Sequence, residues 1–482
     1  MRRSGGFVRI VTEWMWTKDQ LFRIRTEPAP MIFPNTLPHI QRFLKPLALA
    51  KTTQTLLIRC LVAFLMHLGK MSAAQAAGSI RTQACHRAQI SRFLGRSYWK
   101  TTDLLGPLRA ALLELEAQKQ GLFIFDLDQT LCGSQSQGRE NTYSCGNYRK
   151  RPRKSHRKQK KTARRSCHCF VMGLLITPSG IRIPFSTSFY TKDYCKKTKR
   201  DFHTQAELGA RLIRQLPLPD GARVIVLGDT AFDAESIRDA CAVRRYRWIT
   251  PMNPERVLAG AKPRPKVQSL VQELHADQMV RLEVHPHRGK YVIYRRVARC
   301  RIGPKLKPRT YYVHQESRDV HSVGKVRLVF STTKPPTPGQ AVEVQKILMT
   351  NDETLSLQDV IEIYQLRWQI ELFFKELKST LGLDRYGFRE FAKVESWVKL
   401  VLLSFIYLEW VRARQLKKSS LTEKERVWWQ AQRTYGLARA VSQSAEQKEL
   451  KLLSEALETP SGQKRLSKLL SQSHPKEYRA VI

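Results

Sequence analysis

Residues 361–383 read IEIYQLRWQIELFFKELKSTLGL, and the fold turns on how this stretch is placed. At about 100° per residue, Arg367, Glu371, Lys375 and Lys378 share one stripe with Tyr364. Leu366, Ile370, Phe373, Phe374, Leu377 and Leu381 cluster opposite. The pattern predicts one amphipathic helix whose apolar face is core. Its polar face carries a single carboxylate among a phenol, a guanidinium and two ammonium groups. Taken alone, that face has a plain explanation. It is a solvated surface laced by Arg367–Glu371 and Glu371–Lys375 pairs, each worth a few tenths of a kcal/mol, ~0.2–0.5. The rest of the chain decides between surface and site.

Charge is the strongest compositional fact. The 482 residues hold 84 Lys+Arg against 41 Asp+Glu, a net +43, and such an excess calls for a polyanionic partner. Nucleic acid, with double-stranded DNA foremost, is the first candidate and an anionic membrane surface the second. A spanning helix is excluded, because VKLVLLSFIYL from Val398 and TLLIRCLVAFLM from Thr55 fall short of the roughly 20 apolar residues required. MRRSGGFVRIVTEW lacks the apolar run of a secretory signal, and nine cysteines in a chain of this size predict reduced thiols in a cytoplasm.

Outward from the opening stretch, the chain divides into expected regions. Residues 1–118 are mostly helical. Within them MSAAQAAGSIRTQACHRAQISRFLG suggests two short helices about a turn at Gly78, capped at Ser72; with Arg81, Arg87 and Arg92 on the second segment, it reads equally as a DNA-reading helix-turn-helix or as an ordinary helical hairpin. Residues 119–256 alternate strands and helices. GLFIFDLDQTL is a strand ending in acid; CHCFVMGLLI and IRIPFSTSFY form a hairpin through Pro178-Ser179-Gly180; RVIVLGDTAFDAESIRDAC is a buried strand, a turn at Asp229 and a helix. Residues 257–349 read as a β-rich insertion, including KYVIYRRVARC as a strand. Residues 350–415 return to the core with the opening helix, and 416–482 form a basic helical tail. The fold class is α/β, a mixed sheet flanked by helices.

Three acidic positions then stand out: the Asp126/Asp128 pair, Asp229 and Glu371. Strand alternation puts Asp126 and Asp128 on one face, and strand ends are where α/β enzymes expose catalytic groups. Carboxylates gathered there bind Mg²⁺, a hard cation, and two such ions promote phosphoryl transfer. Beside them YRKRPRKSHRKQKKTARR places eleven Lys/Arg and no acid between Arg149 and Arg165, with Arg149, Lys150, Arg151, Arg153 and Lys154 leading the run. Such a block stays solvated until it meets phosphates. A rival reading exists. FDLDQTL resembles the D-x-D-x-T motif of haloacid-dehalogenase-like phosphatases, and GDTAFD resembles their later acidic motif. That resemblance implies Asp126 as nucleophile, Asp128 as general acid/base, and Mg²⁺ on Asp229 and Asp233. A DNA-binding protein without chemistry is a third reading.

Tyr364, Arg367, Glu371 and Lys378 fit Y-(2)-R-(3)-E-(6)-K, and with Arg367-Trp368 and Thr350-Asn351 the segment resembles bacterial insertion-sequence DDE transposases over roughly residues 119–385. The resemblance implies an RNase H-like core interrupted by a β-rich insertion between the second aspartate and the glutamate. It implies Asp128, Asp229 and Glu371 as catalytic metal ligands for two Mg²⁺, with Mn²⁺ able to substitute. Asp126 stands as the alternative first ligand; Asp128 is favoured because the family's first motif commonly reads Asp-x-Thr. Tyr364, Arg367 and Lys378 would contact DNA backbone near the cleaved end. The activity implied is cleavage at element ends and strand transfer into target DNA, by a homodimer on DNA, in a bacterial cytoplasm.

Neutralising several basic residues between Arg149 and Arg165 is expected to weaken DNA binding equally across sequences and to flatten its salt dependence. Binding titrations over a salt series check this, and an unchanged slope removes the tract from the interface.

Overall fold

Among the described residues ten strands build one continuous sheet. The computed structural model describes residues 38–80, 85–95, 103–134, 138–145, 165–260, 263–285, 290–294 and 307–471. Arg81 and the basic run 149–164, with Arg149, Lys150, Arg151, Arg153 and Lys154, lie outside the described residues. The strands are β1 (Phe123–Ser134), β2 (Tyr143–Cys145), β3 (Arg165–Ile176), β4 (Arg182–Ser188), β5 (Val224–Leu227), β6 (Arg247–Pro251), β7 (Val280–Val284), β8 (Arg309–Val320), β9 (Gly324–Thr332) and β10 (Lys346–Thr350). Their order is β2-β3-β1-β5-β6-β10-β9-β8-β7, with β4 also paired to β3.

β1 and β4 each pair antiparallel with β3, while β5 runs parallel to β1 and β6 parallel to β5. The composition of β5 explains its central place. Val224, Ile225, Val226 and Leu227 are all buried, as a strand covered on both faces requires. At Gly173 a Cβ would lie 2.2 Å from the Phe125 ring, so glycine lets that ring enter the core. The β3–β4 turn uses Gly180 at φ +75, a conformation open to glycine at no steric cost. The fold class is the expected α/β mixed sheet flanked by helices.

Strands of the 257–349 segment extend the core sheet: β10 pairs with β6 and β9 with β10, both antiparallel. One feature differs from expectation. Within KYVIYRRVARC, the described residues Val292–Tyr294 form a 3-10 turn rather than a strand. Tyr291 and Tyr294 are buried, and the Tyr294 hydroxyl donates to the Leu122 carbonyl, so the segment plugs the start of β1 instead of pairing.

The N-terminal helices Lys51–Met66, Arg87–Gly95 and Leu105–Leu113 pack on one long helix, Phe391–Leu416. That helix is apolar nearly all round and is buried accordingly; among the described residues no helix is long and apolar enough to cross a membrane. Arg59, which breaks the apolar run of the Lys51–Met66 helix, is buried and donates to the carbonyls of Ala77 (2.7 Å) and Ile80. It thereby satisfies the end of the short Ala73–Gly78 helix, whose N-cap is Ser72 as expected. Among the described residues the next helix is Arg87–Gly95. Cys60, Cys85, Cys132, Cys169, Cys195 and Cys241 are free thiols, whereas Cys167 is disulfide-bonded, which departs from the expectation of reduced thiols throughout.

A buried ionic network locks these parts together. The Arg182 guanidinium on β4 bonds Glu376 at 2.9 Å and Glu409 at 3.1 Å. Arg412 bonds Glu409 at 2.9 Å and the Gly180 carbonyl at 2.8 Å. Removing one partner of such a set strands the others without water. Arg182→Met is therefore expected to cost about 3–5 kcal/mol, read as a fall in the urea midpoint of the full chain; a loss below about 1 kcal/mol would show that the network contributes no more than a surface pair.

Candidate functional site

β1 pairs with β5 only as far as Asp126 opposite Leu227. Beyond that register β1 continues beside β3 alone, with Asp128 opposite Met172. β5 ends at the same level and turns through Gly228 into Asp229. The two parallel strands thus open a crevice at their carboxyl ends, with Asp128 on one lip and Asp229 on the other. Asp229 accepts from the Ala231 N–H at 2.9 Å as N-cap of a one-turn 3-10 helix. Asp128 accepts from the Gln129 N–H at 2.7 Å.

Glu371 comes from the opening stretch, which is not one helix. It forms Leu357–Gln365 and Trp368–Ser379, joined by a tightened turn. The N–H groups of Leu366, Arg367 and Gln369 bond the carbonyls of Ile363, Tyr364 and Leu366, each three residues back. This tightening shifts the phase of everything before it. Tyr364, expected on the outward stripe, is 8% exposed, with the Lys346 ammonium 4.9 Å over its ring. Burial pushes its phenol up to about 12, Arg367 opposing and Asp229 and Asp126 adding to the rise. Lys378 is also occupied, donating to the Leu131 carbonyl of β1 at 3.0 Å.

Arg367 sits between the acids, 2.6 Å from Glu371 and 3.7 Å from Asp128. Burial first, then Asp229, raise the Asp128 carboxyl to about 6; Glu371 adds to the rise, while the Gln129 N–H and Arg367 oppose it. Asp128 therefore feels the charges of both Asp229 and Glu371. Asp126 lies beneath, fully buried, with neither oxygen hydrogen-bonded. Burial holds its pKa well above the usual range, against the Arg367 charge and with that of Asp128. Among the described residues no three His, Cys, Asp or Glu groups stand close enough to hold a metal ion together; Asp128 and Glu371 both lean on the guanidinium. Carboxylate oxygens are nonetheless the donors a hard cation takes, and one guanidinium stands between two of them.

A groove runs from this edge between β8–β10 and the paired helices. Lys307, Arg309, Tyr311, Lys346, Arg367 and Trp368 line it, with no acid among the described residues there. Trp368 is 55% exposed, and Arg309 stands 5.3 Å over the Tyr311 ring. Reading the sequence missed Lys346, Arg309 and Tyr311; their signal was the basic, aromatic alternation of strands assigned only to an insertion. Arg87 and Arg92 are exposed on their helix.

The phosphatase motif does not assemble a site. A nucleophile must be reached, and Asp126 is sealed inside the sheet. Asp233 is spent on ion pairs with Arg238 at 2.8 Å and Arg256 at 2.7 Å.

Comparison with known proteins adds an independent line. Residues 194–406 match the family described as the transposase DDE domain, a span that includes Asp229 and Glu371 and begins after Asp128. Over 93 residues the chain is 31% identical to the putative transposase InsL for insertion sequence element IS186A of Escherichia coli strain K12. It is similar to the same extent to the transposase for insertion sequence element IS421 of Escherichia coli. These alignments cover 18% of this chain and 25% of each relative, so the chain spans about a quarter of the length of the curated relatives it matches.

The raised Asp128 pKa carries a sign. A carboxyl that ionises at about 6 when folded, against about 3.9 when unfolded, binds more protons folded. Its contribution is full below pH ~4 and is lost as pH rises through ~6. Asp128→Asn is thus expected to melt higher than the parent at pH 8, by about 2–3 kcal/mol, and to lose that advantage at pH 4. Thermal melts at both pH values check it.

Proposed function

We propose that this protein is a DNA transposase that cleaves the ends of an insertion sequence and joins them to target DNA in a Mg²⁺-dependent reaction. The observation that carries the reading is the Arg367 guanidinium set between Asp128 and Glu371, 3.7 Å and 2.6 Å away, where β1 and β5 part and lead to Asp128 and Asp229. The transposase DDE domain match over residues 194–406 and the net charge of +43 support it.

In this reading Asp128, Asp229 and Glu371 hold the metal, with two Mg²⁺ expected and Mn²⁺ able to replace them. Bound there, the ions supply Lewis acidity at the phosphoryl group and lower the pKa of water or a 3′-hydroxyl. The chain's own residues do the positioning. Arg367 and Lys378 offer cationic hydrogen-bond donors to DNA backbone near the cleaved end. Tyr364, protonated at neutral pH, keeps a donor hydroxyl at the back of the site. The groove at Lys346, Arg309 and Trp368 gives the strand a basic wall with exposed aromatic faces. Arg149, Lys150, Arg151, Arg153 and Lys154 add sequence-independent affinity. A homodimer on paired element ends, working on DNA in a bacterial cytoplasm, completes the proposal.

Glu371→Gln is expected to abolish Mg²⁺-dependent strand cleavage, at least about 10²-fold, while DNA binding survives. Full cleavage by that variant sinks the assignment of the three acids. Loss of phosphate-ester hydrolysis in Asp126→Asn, with Glu371→Gln unaffected, would return the phosphatase reading. Salt-sensitive binding without metal-dependent nicking in the parent protein would leave a DNA-binding protein without chemistry.

A further inference from the structure

Arg367 faces two destinations. Toward the sheet edge its guanidinium contacts Glu371 at 2.6 Å and Asp128 at 3.7 Å, spanning one acid from the helix and one from β1. Toward the other side it lines the basic groove with Lys346, Arg309 and Trp368. It is borne on the tightened turn between two short helices rather than inside either one, and its side chain is 19% exposed. Without an anion the groove is the worse place for it: the Lys346 ammonium lies near enough for the two charges to repel, and Arg367 depresses the Lys346 pKa after burial. Among the acids, by contrast, it satisfies two carboxylates at once.

We propose that, in the DNA-free protein, the Arg367 guanidinium occupies the place of a divalent cation between Asp128 and Glu371, so that metal uptake waits for DNA. A backbone phosphate entering the groove offers the guanidinium a bidentate anionic partner and reverses its preference. Arg367 moves off the acids, and the negative charge left behind attracts the cation. Phosphate and metal thereby strengthen each other's binding, and by linkage the coupling is the same in both directions. This inference rests on reading the acids as metal ligands.

Mn²⁺ binding, followed by the loss of the free-ion electron paramagnetic resonance signal, tests it without relying on activity. The full chain is titrated alone and with a short duplex, against a blank of duplex alone. The parent is expected to bind Mn²⁺ weakly by itself and about tenfold or more tightly with the duplex. Arg367→Gln is expected to bind Mn²⁺ without DNA about tenfold more tightly than the parent, and to gain little from the duplex. Arg367→Lys keeps the charge but cannot span both carboxylates; it is expected to fall between, and serves where the Gln variant melts early. DNA-free binding no tighter in either variant than in the parent overturns the proposal. If Asp128→Asn and Glu371→Gln leave Mn²⁺ binding unchanged in every form, the ligand assignment itself falls.

Discussion

The buried chain of charges from Glu376 through Arg182 and Glu409 to Arg412 sets the geometry on which the site depends. Each group belongs to a different part of the fold or joins two of them: Glu376 to the helix carrying Glu371, Arg182 to an outer strand, Glu409 and Arg412 to the long central helix. Thr434, at the start of the C-terminal Thr434–Leu457 helix, donates to Glu376 as well. Burying such charges is costly, and an apolar substitute would often be as stable. What ions give here is direction, since each guanidinium accepts only a few orientations of its carboxylates. A helix held only by Phe373, Phe374 and Leu377 could slide by a turn and still bury the same area. Glu376 bonded to Arg182, one turn beyond Glu371, fixes its rotation and height. The Lys378–Leu131 bond anchors the same helix to β1, the strand that bears Asp128.

Much of this was legible in the sequence because the signals were local and repeated. The apolar runs of β1 and β5, the hairpin about Gly180 and the central helix near Phe391 all follow from periodicity and turn chemistry. Asp128 and Asp229 were visible because acids at the ends of apolar strands contradict their surroundings. The illegible parts depend on contacts distant along the chain. A constant 100° per residue carried Tyr364 to the outside, since nothing local announces that the backbone tightens at Leu366 and Arg367. Arg59 looked like an interruption of an apolar run until its carbonyl partners at Ala77 and Ile80 were seen. Nothing near Glu376 marks it, because its partner Arg182 lies far back in the chain.

The same limitation hid the relation between the two halves of the sheet. Strands of the 257–349 segment alternate as any half-buried strand does, and periodicity gives no pairing partner. Once β10 is placed beside β6, the basic side chains at Arg309 and Lys346 become one wall of the cleft, and the adjacent turn at Tyr291–Tyr294 closes the opposite end of β1. Charge that seemed diffuse in composition is thereby delivered to the edge where the acids meet.

A continuous sheet also governs where this architecture is free to change. β10 is hydrogen-bonded on both sides, to β6 and to β9, and its far end leads directly into the helices that carry Arg367 and Glu371. A residue inserted there would slip the register and rotate every side chain beyond it to the opposite face. Among the described residues β7 is the last strand of the ordered path and pairs with β8 alone, so length added outward from it disturbs no other described strand. Growth and loss in this lineage should therefore accumulate at the outer rim, leaving the inner strands as fixed in length as the chemistry they frame.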